Sequence, residues 1–358
     1  MINKIITAAI LLVFTFDSCF ELTPESRIDA ILSQKYPSDN PGAVFLVAKD
    51  GKPIYKNAFG KANLELDVDM KLDYVFQIGS ITKQFTAAAI IMLAEQGKLS
   101  ITDDITKFIP DYPTQGQTIT LHHLLTHTSG IMNYTRMKSI NSIAKEDLTP
   151  KELVDFFKDE PMDFNPGEKF QYSNSGYILL GYVIELVSGM GYIDFVERNI
   201  FEKAGMKDSR FASDRKIIKD RAYGYQQSGD ELLNKRHISF NITYSAGSLM
   251  STVNDLLKWQ NAINNNILIG EELKNLIFTN YKLNNGESIG YGYGWHLKNI
   301  SGIRSWEHGG SIFGYKSMAV YLPDNDIYVV GLTNCDCNSP TQVTREIALL
   351  AAQFFRED

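Results

Sequence analysis

The chain has 358 residues, of which 44% are hydrophobic and 22% charged. That is enough apolar material for one large or two interlocked domains with a substantial core, and it excludes a disordered chain. The net charge is −7 and no dense Lys/Arg run occurs, which leaves no electrostatic footprint for nucleic acid or for a polybasic membrane patch.

Residues 1–4 carry one lysine, residues 5–16 are almost wholly apolar, and polar residues follow from Asp17. This is the layout of a secretory signal, with a buried N-terminal helix as the competing reading. The apolar run is too short for an ordinary transmembrane helix. No later segment has the continuous apolar length of a span. Cys19, in Phe16-Asp17-Ser18-Cys19, resembles the lipidated cysteine of a bacterial lipoprotein signal, although Phe16 and Asp17 are unusual there. The expectation is a signal over 1–19 and a body over 24–358. The body is exported, either periplasmic or tethered to the bacterial envelope through Cys19. The remaining cysteines, Cys335 and Cys337, are two apart. Their ring would be small and strained, so free thiols or a labile bridge are expected rather than a structural disulfide.

In chain order, residues 21–35 read as a helix. Residues 43–48 and 53–59 are β-rich, with Asp50-Gly51 between them as a hairpin signal. Residues 81–96 are apolar nearly all round at helical spacing and end at Gly97, which predicts a buried central helix. Residues 121–125, 151–155, 176–187 and 253–265 also read as helices. Residues 290–297, 303–308, 317–322 and 327–333 read as strands, and 341–355 as a closing helix. Strands at both ends with helices between predict an α+β fold: one antiparallel sheet built from the N- and C-terminal segments, flanked by helices, with a mainly helical region inserted.

Three motifs carry chemistry. Ser80-Ile81-Thr82-Lys83 starts the central helix, and its spacing puts Ser80 and Lys83 on one face. A desolvated lysine amine can take a serine's proton. A capping serine and a surface lysine would explain the pair blandly, but Lys83 sits in an otherwise apolar helix. Tyr172-Ser173-Asn174 follows Asn165-Pro166-Gly167; in extended backbone Tyr172 and Asn174 project together. A phenol can relay protons, and the amide can hold Lys83 or a substrate carbonyl. A packed tyrosine and a capping asparagine are the alternative. His308-Gly309-Gly310-Ser311 ends a strand, where glycines let a substrate backbone approach and the histidine can hydrogen-bond or carry charge near an anion. A turn with a partly exposed histidine is the alternative.

The order Ser-x-x-Lys, Tyr-x-Asn, His-x-Gly resembles the serine β-lactamase and penicillin-binding-protein family, on the branch shared by class C β-lactamases and D-Ala-D-Ala carboxypeptidases. Phe76-Gln77-Ile78-Gly79-Ser80, Leu124-Leu125-Thr126-His127-Thr128-Ser129-Gly130, residues 172–181 and 247–255, and Tyr291-Gly292-Tyr293-Gly294-Trp295 are similar to its pattern as well. The resemblance runs from about Ile28 to the C-terminus. It implies a β-lactamase/transpeptidase-like fold and an acyl-enzyme on Ser80. Lys83 and Tyr172 would share general base and acid, and Asn174 would position Lys83 and substrate. The backbone N–H groups of Ser80 and Ser311 would form the oxyanion hole. It implies neither metal nor cofactor, and a substrate that is a D-amino-acid peptide, a β-lactam or an ester.

The chain departs from the family at its third motif. Efficient β-lactamases carry Lys-Thr-Gly there, and both the cation and the hydroxyl help hold a substrate carboxylate. His308-Gly309-Gly310 replaces them, so weak β-lactam turnover and less carboxylate-dependent substrates are expected. His122, His123 and His127 lack the glutamate of a His-Glu-x-x-His zinc motif; the family reading makes their string structural, supporting a helix and turn. No Gly-x-Ser-x-Gly elbow surrounds Ser80, against an α/β-hydrolase. The leading expectation is a D,D-carboxypeptidase, esterase or amidase. The alternatives are a true class C-like β-lactamase and a non-catalytic penicillin-binding envelope sensor.

Overall fold

The computed structural model describes residues 23–355. The signal reading of 1–19 and Cys19 lie outside the described residues. The first helix, α1 (Pro24–Lys35), starts where Thr23 accepts the Ser26 N–H, with proline in its first turn and Lys35 in its last. Strands β1 (Ala43–Lys49) and β2 (Lys52–Phe59) form a hairpin. Asp50 and Gly51 have φ of 53° and 70°, the positive pair that a tight two-residue hairpin turn requires.

Helix α2 (Thr82–Glu95) is the buried central helix. Its residues 82–93 are all buried, Lys83 among them. Around it lie α3 (Leu121–Leu125), α4 (Asn174–Ser188), α5 (Phe240–Gly247) and α6 (Val253–Asn264). The chain then returns to the sheet through β3 (His296–Ile300), β4 (Ile303–Ile312), β5 (Tyr315–Leu322) and β6 (Ile327–Thr333), and closes with α7 (Thr341–Phe354).

The sheet has the order β3-β4-β5-β6-β1-β2, antiparallel throughout. The N-terminal hairpin docks on the C-terminal strand, with Ala43 opposite Thr333 and Lys49 opposite Ile327. Side chains alternate across the sheet. Phe45 and Val47 pack with Ile28, Leu32 and Ile347 from α1 and α7. Val44 and Leu46 join the larger core with Phe85, Ile90 and Leu93 of α2. Period-two alternation on a sheet buried on both faces produces this three-layer arrangement. It is the α+β organisation that the sequence predicts.

One sequence expectation needs correction. Residues 290–297 do not form one strand; β3 begins at His296. Upstream, the Gly292 N–H bonds the Trp295 carbonyl and the Tyr293 N–H bonds the Ile277 carbonyl. Tyr291, Tyr293 and Trp295 are all buried. The segment is a packed turn, and its apolar run reflects burial rather than strand periodicity. Of the two readings left open for Cys335 and Cys337, free thiols or a bridge, the structure has the bridge, with Cα atoms 5.2 Å apart. The chain bends after β6 enough to bring the two residues within bridging reach.

One feature of the sheet shapes the site. β3 pairs with β4 only as far as the His296–Glu307 pair. Beyond it, residues 308–312 of β4 pair with β5 alone, which leaves the other edge of β4 open to a cleft.

Candidate active site

Ser80 lies in a 3-10 turn, Gly79–Ile81, that runs into α2. The preceding strand Phe76–Gln77 pairs with Leu249–Ser251, which follows α5. This pairing brings the end of α5 beside the start of α2. The close approach of the two walls depends on glycine. A Cβ on Gly310 would stand 2.0 Å from the Ile78 carbonyl oxygen, and one on Gly79 (φ +52°) would stand 2.8 Å from the Ser311 nitrogen. Strand β4 therefore lies directly against the residues that lead into Ser80, and the Ser311 backbone nitrogen is drawn towards Gly79 and the turn that holds Ser80.

Lys83 is fully buried, and its Nζ has three oxygen neighbours. These are Asn174 Oδ1 at 2.8 Å, the Ala246 carbonyl at 2.8 Å and Ser80 Oγ at 3.3 Å. Burial holds its pKa well below the ordinary lysine value. A neutral amine has two N–H donors and one lone pair. Asn174 Oδ1 and the Ala246 carbonyl are acceptors only, so they take the two N–H groups and leave the lone pair for the Ser80 hydroxyl proton.

Tyr172 closes the site. Its ring centre is 4.8 Å from Lys83 Nζ. Its hydroxyl is buried without a hydrogen-bond partner among the described residues. Burial raises the phenol above its ordinary value. The group therefore stays a phenol. Ser173 is extended (φ −131°, ψ 123°) and Asn174 opens α4, so Tyr172 and Asn174 reach the site together, as their spacing predicts.

Of the two roles the sequence leaves open for His308, hydrogen bonding or charge, the structure favours hydrogen bonding. His308 is buried, and burial, followed by the neighbouring His296, holds its pKa well below the usual imidazole value. Its Nδ1 lies 2.7 Å from the Gly309 carbonyl and its Nε2 lies 3.2 Å from the Tyr291 hydroxyl. A carbonyl only accepts, so Nδ1 carries the proton and Nε2 accepts from Tyr291. His308 is a neutral wall residue and carries no charge toward an anion.

The three histidines of the central segment do separate work. His122 Nδ1 bonds the Tyr293 hydroxyl at 2.8 Å. His123 completes a capping box with Thr120. His127 sits in left-handed backbone (φ 58°), and its Nδ1 accepts the Ser173 N–H at 3.1 Å. Its ring centre is 4.3 Å from that of Tyr172. His127 therefore fixes the Tyr172–Asn174 segment, a link that sequence spacing does not show. The Ala246 carbonyl and Tyr291 were likewise not legible as site groups, although both lie in or beside strings that fit the family pattern.

The cleft has a volume of about 360 Å³ and is lined by Ser80, Tyr172, His308, Gly309, Ser311 and Lys316, among others. Among the described residues no group of three or more His, Cys, Asp or Glu is arranged to hold a metal ion.

Comparison with known proteins agrees with this arrangement. The Beta-lactamase family model matches residues 29–353. Penicillin-binding protein 4* of Bacillus subtilis is 33% identical over 81% of this chain and 67% of its own. The octameric penicillin-binding protein homologue from Pyrococcus abyssi superposes with a TM-score of 0.80 at 32% identity, over 91% of this chain and 77% of that one. The D-amino acid amidase of Ochrobactrum anthropi shares the fold at a TM-score of 0.79 and 23% identity, over 93% of this chain and 98% of that one. The chain spans about two thirds of the length of the curated relatives it matches, 67% of one and 63% of another. With a matching family model along almost all of the described residues and Ser80 and Lys83 in contact at the start of the buried helix, the chain belongs to the β-lactamase family of serine hydrolases.

Proposed function

We propose that the protein is a D,D-carboxypeptidase, esterase or amidase that hydrolyses cell-wall-like peptides or related acyl compounds through an acyl-enzyme on Ser80. The observation that carries this reading is the environment of Lys83: desolvated, 3.3 Å from Ser80 Oγ, and bonded to two groups that only accept. In this reading the neutral Lys83 amine takes the Ser80 proton as Oγ attacks the substrate carbonyl carbon. The carbonyl oxygen becomes an oxyanion between the Ser80 and Ser311 N–H groups, each worth about 3–4 kcal/mol in the transition state. Collapse breaks the bond to the leaving nitrogen or oxygen, which takes a proton from the Tyr172 phenol; the Lys83 ammonium then restores that proton. Water repeats the sequence on the acyl-enzyme and frees Ser80.

Neutral His308 and Gly309 at the third motif favour peptidase or esterase chemistry over rapid β-lactam turnover. The N-terminal sequence supports export, with Cys19 as a candidate lipid attachment point. The test follows the intact mass of the mature protein with a penicillin over time, beside assays with a D-Ala-D-Ala peptide and a short-chain ester. A lasting adduct with peptide or ester cleavage supports the reading. A transient adduct with fast penicillin loss replaces it with a β-lactamase. A lasting adduct without turnover of any substrate replaces it with a sensor.

A further inference from the structure

After β6 the chain turns toward α7 through Asn334-Cys335-Asp336-Cys337-Asn338. Both flanks of this turn are pinned without help from its disulfide. The Asn334 side-chain nitrogen lies 3.0 Å from the Lys61 carbonyl, 3.3 Å from that of Ala62 and 2.8 Å from that of Tyr223. The Tyr225 N–H donates to the Asn334 carbonyl at 2.8 Å, and the Asp336 N–H returns to the Tyr225 carbonyl at 3.1 Å. On the far side the Asn338 amide donates to the Pro41 carbonyl at 3.1 Å. A bridge stabilises a protein chiefly by restricting the unfolded chain, and it does so less for a shorter loop. This one joins residues only two apart. Hydrogen bonds already hold the turn, so opening the bridge leaves its anchors in place.

The two cysteines are not equivalent. Cys335 is fully buried and Cys337 is exposed. A thiolate arriving from solvent therefore reaches Cys337 first. The Cys337 N–H donates to Cys335 Sγ at 3.2 Å. Burial alone disfavours a thiolate at Cys335, and this donor offsets the penalty. Exchange is faster when the leaving sulfur is stabilised as a thiolate. Burial and one hydrogen bond thus separate the sulfur to be attacked from the sulfur that leaves. Neither cysteine is among the residues that line the catalytic cleft.

We infer that the Cys335–Cys337 bridge is a thiol-exchange site, which takes up an external thiol on Cys337. The incoming thiolate attacks Cys337 Sγ and forms a new S–S bond. The bond to Cys335 breaks, and Cys335 Sγ leaves with the electron pair and takes a proton from water. A second thiolate attacks the external sulfur of this mixed disulfide and displaces Cys337 as a thiolate, which is protonated in turn. Two external thiols are oxidised to one disulfide, and the bridge receives their two electrons and two protons. The reacting partner is a thiol, carried either by a small molecule or by a dithiol protein. The site lies apart from the acylation centre and does not depend on the hydrolase reading.

The test treats the native wild-type protein with reduced glutathione and, separately, with reduced thioredoxin. Both reactions are quenched with N-ethylmaleimide and mapped by tandem mass spectrometry, with Cys19 scored apart. Glutathione is expected on Cys337 with N-ethylmaleimide on Cys335. Thioredoxin is expected to leave N-ethylmaleimide on both. Reaction in either arm supports the site, and the faster arm identifies the source of the thiol. Opening by glutathione in native buffer is expected within about tenfold of its rate in concentrated urea, whereas a bridge reached only by unfolding would open about a hundredfold or more slowly when native. Two variants check the direction of attack: the free Cys337 of Cys335→Ser is expected to react with N-ethylmaleimide about tenfold or more faster than the free Cys335 of Cys337→Ser. Free thiols at both positions in the untreated protein, glutathione mapped to Cys335, opening only in urea, or equal labelling of the two variants would each overturn the assignment.

Discussion

The Ala246 carbonyl oxygen accepts a hydrogen bond from Lys83 at 2.8 Å, although the two residues are far apart in sequence. The contact comes from the turn inside α5, where Tyr244 has φ 29° and ψ −124° and the helix is broken. Backbone in that region is costly for a tyrosine and persists only where the surroundings hold it. Here the Tyr244 hydroxyl donates to Glu185 at 2.6 Å, which ties the kink to α4.

The Lys83 environment gives the first prediction. If the amine acts as base, its lone pair matters and its charge does not. Lys83→Ala and Lys83→Arg are both expected to slow acylation of Ser80 by about 10²–10⁴-fold, because arginine stays protonated. Stopped-flow acylation by a chromogenic ester measures this. Near-normal acylation in Lys83→Arg would remove the general-base role.

Gly310 sets the distance between β4 and the residues that lead into Ser80. A methyl group 2.0 Å from the Ile78 carbonyl oxygen has no room, so Gly310→Ala must move β4 outward. The expected cost is about 1–3 kcal/mol of stability, read from urea unfolding, together with loss of most ester turnover as the Ser311 N–H leaves its place. Unchanged turnover would show that this wall does not shape the oxyanion site.

His127 holds Tyr172 and Asn174 by accepting the Ser173 N–H. His127→Leu leaves that buried donor without a partner, at a cost of about 1–3 kcal/mol, and is expected to lower acylation as well. His127→Asn tolerates left-handed backbone and offers an acceptor oxygen. It is expected to recover part of both losses, and equal losses in the two variants would contradict the positioning role.

Acid stability follows from buried imidazoles. Burial lowers the pKa of His122 and His296 to about 4, that of His123 below its ordinary value, and those of His127 and His308 well below 6.5. In the unfolded chain all five take up protons near 6.5. Between about pH 4 and 6.5 the unfolded state therefore binds more protons, and stability rises with pH. The urea midpoint is expected to be flat near pH 7.5 and to fall progressively as pH drops through 6.5. A midpoint that holds or rises on acidification to pH 5 would contradict the burial of these groups.

Much of this was readable before the fold. The stretch 81–96, apolar nearly all round, announced a buried helix, and a lysine inside it had to be paired or neutral. The β-rich or apolar runs of β1, β4 and β5 and the Asp50-Gly51 turn were equally legible. The charge state of His308 was not, because it depends on Tyr291 and on a carbonyl in its own strand. The turn at 290–295 was misread because Tyr291, Tyr293 and Trp295 mimic strand alternation while all three are buried.

The most direct measurement of the central claim is the intact mass of the wild-type protein and of Ser80→Ala after reaction with an uncharged, serine-reactive phosphonate, with the adduct located by peptide mapping. The wild type is expected to gain one phosphonyl group on Ser80 and the variant none. An adduct of equal yield in Ser80→Ala, or one mapped to another serine in the wild type, would show that Ser80 is not the nucleophile.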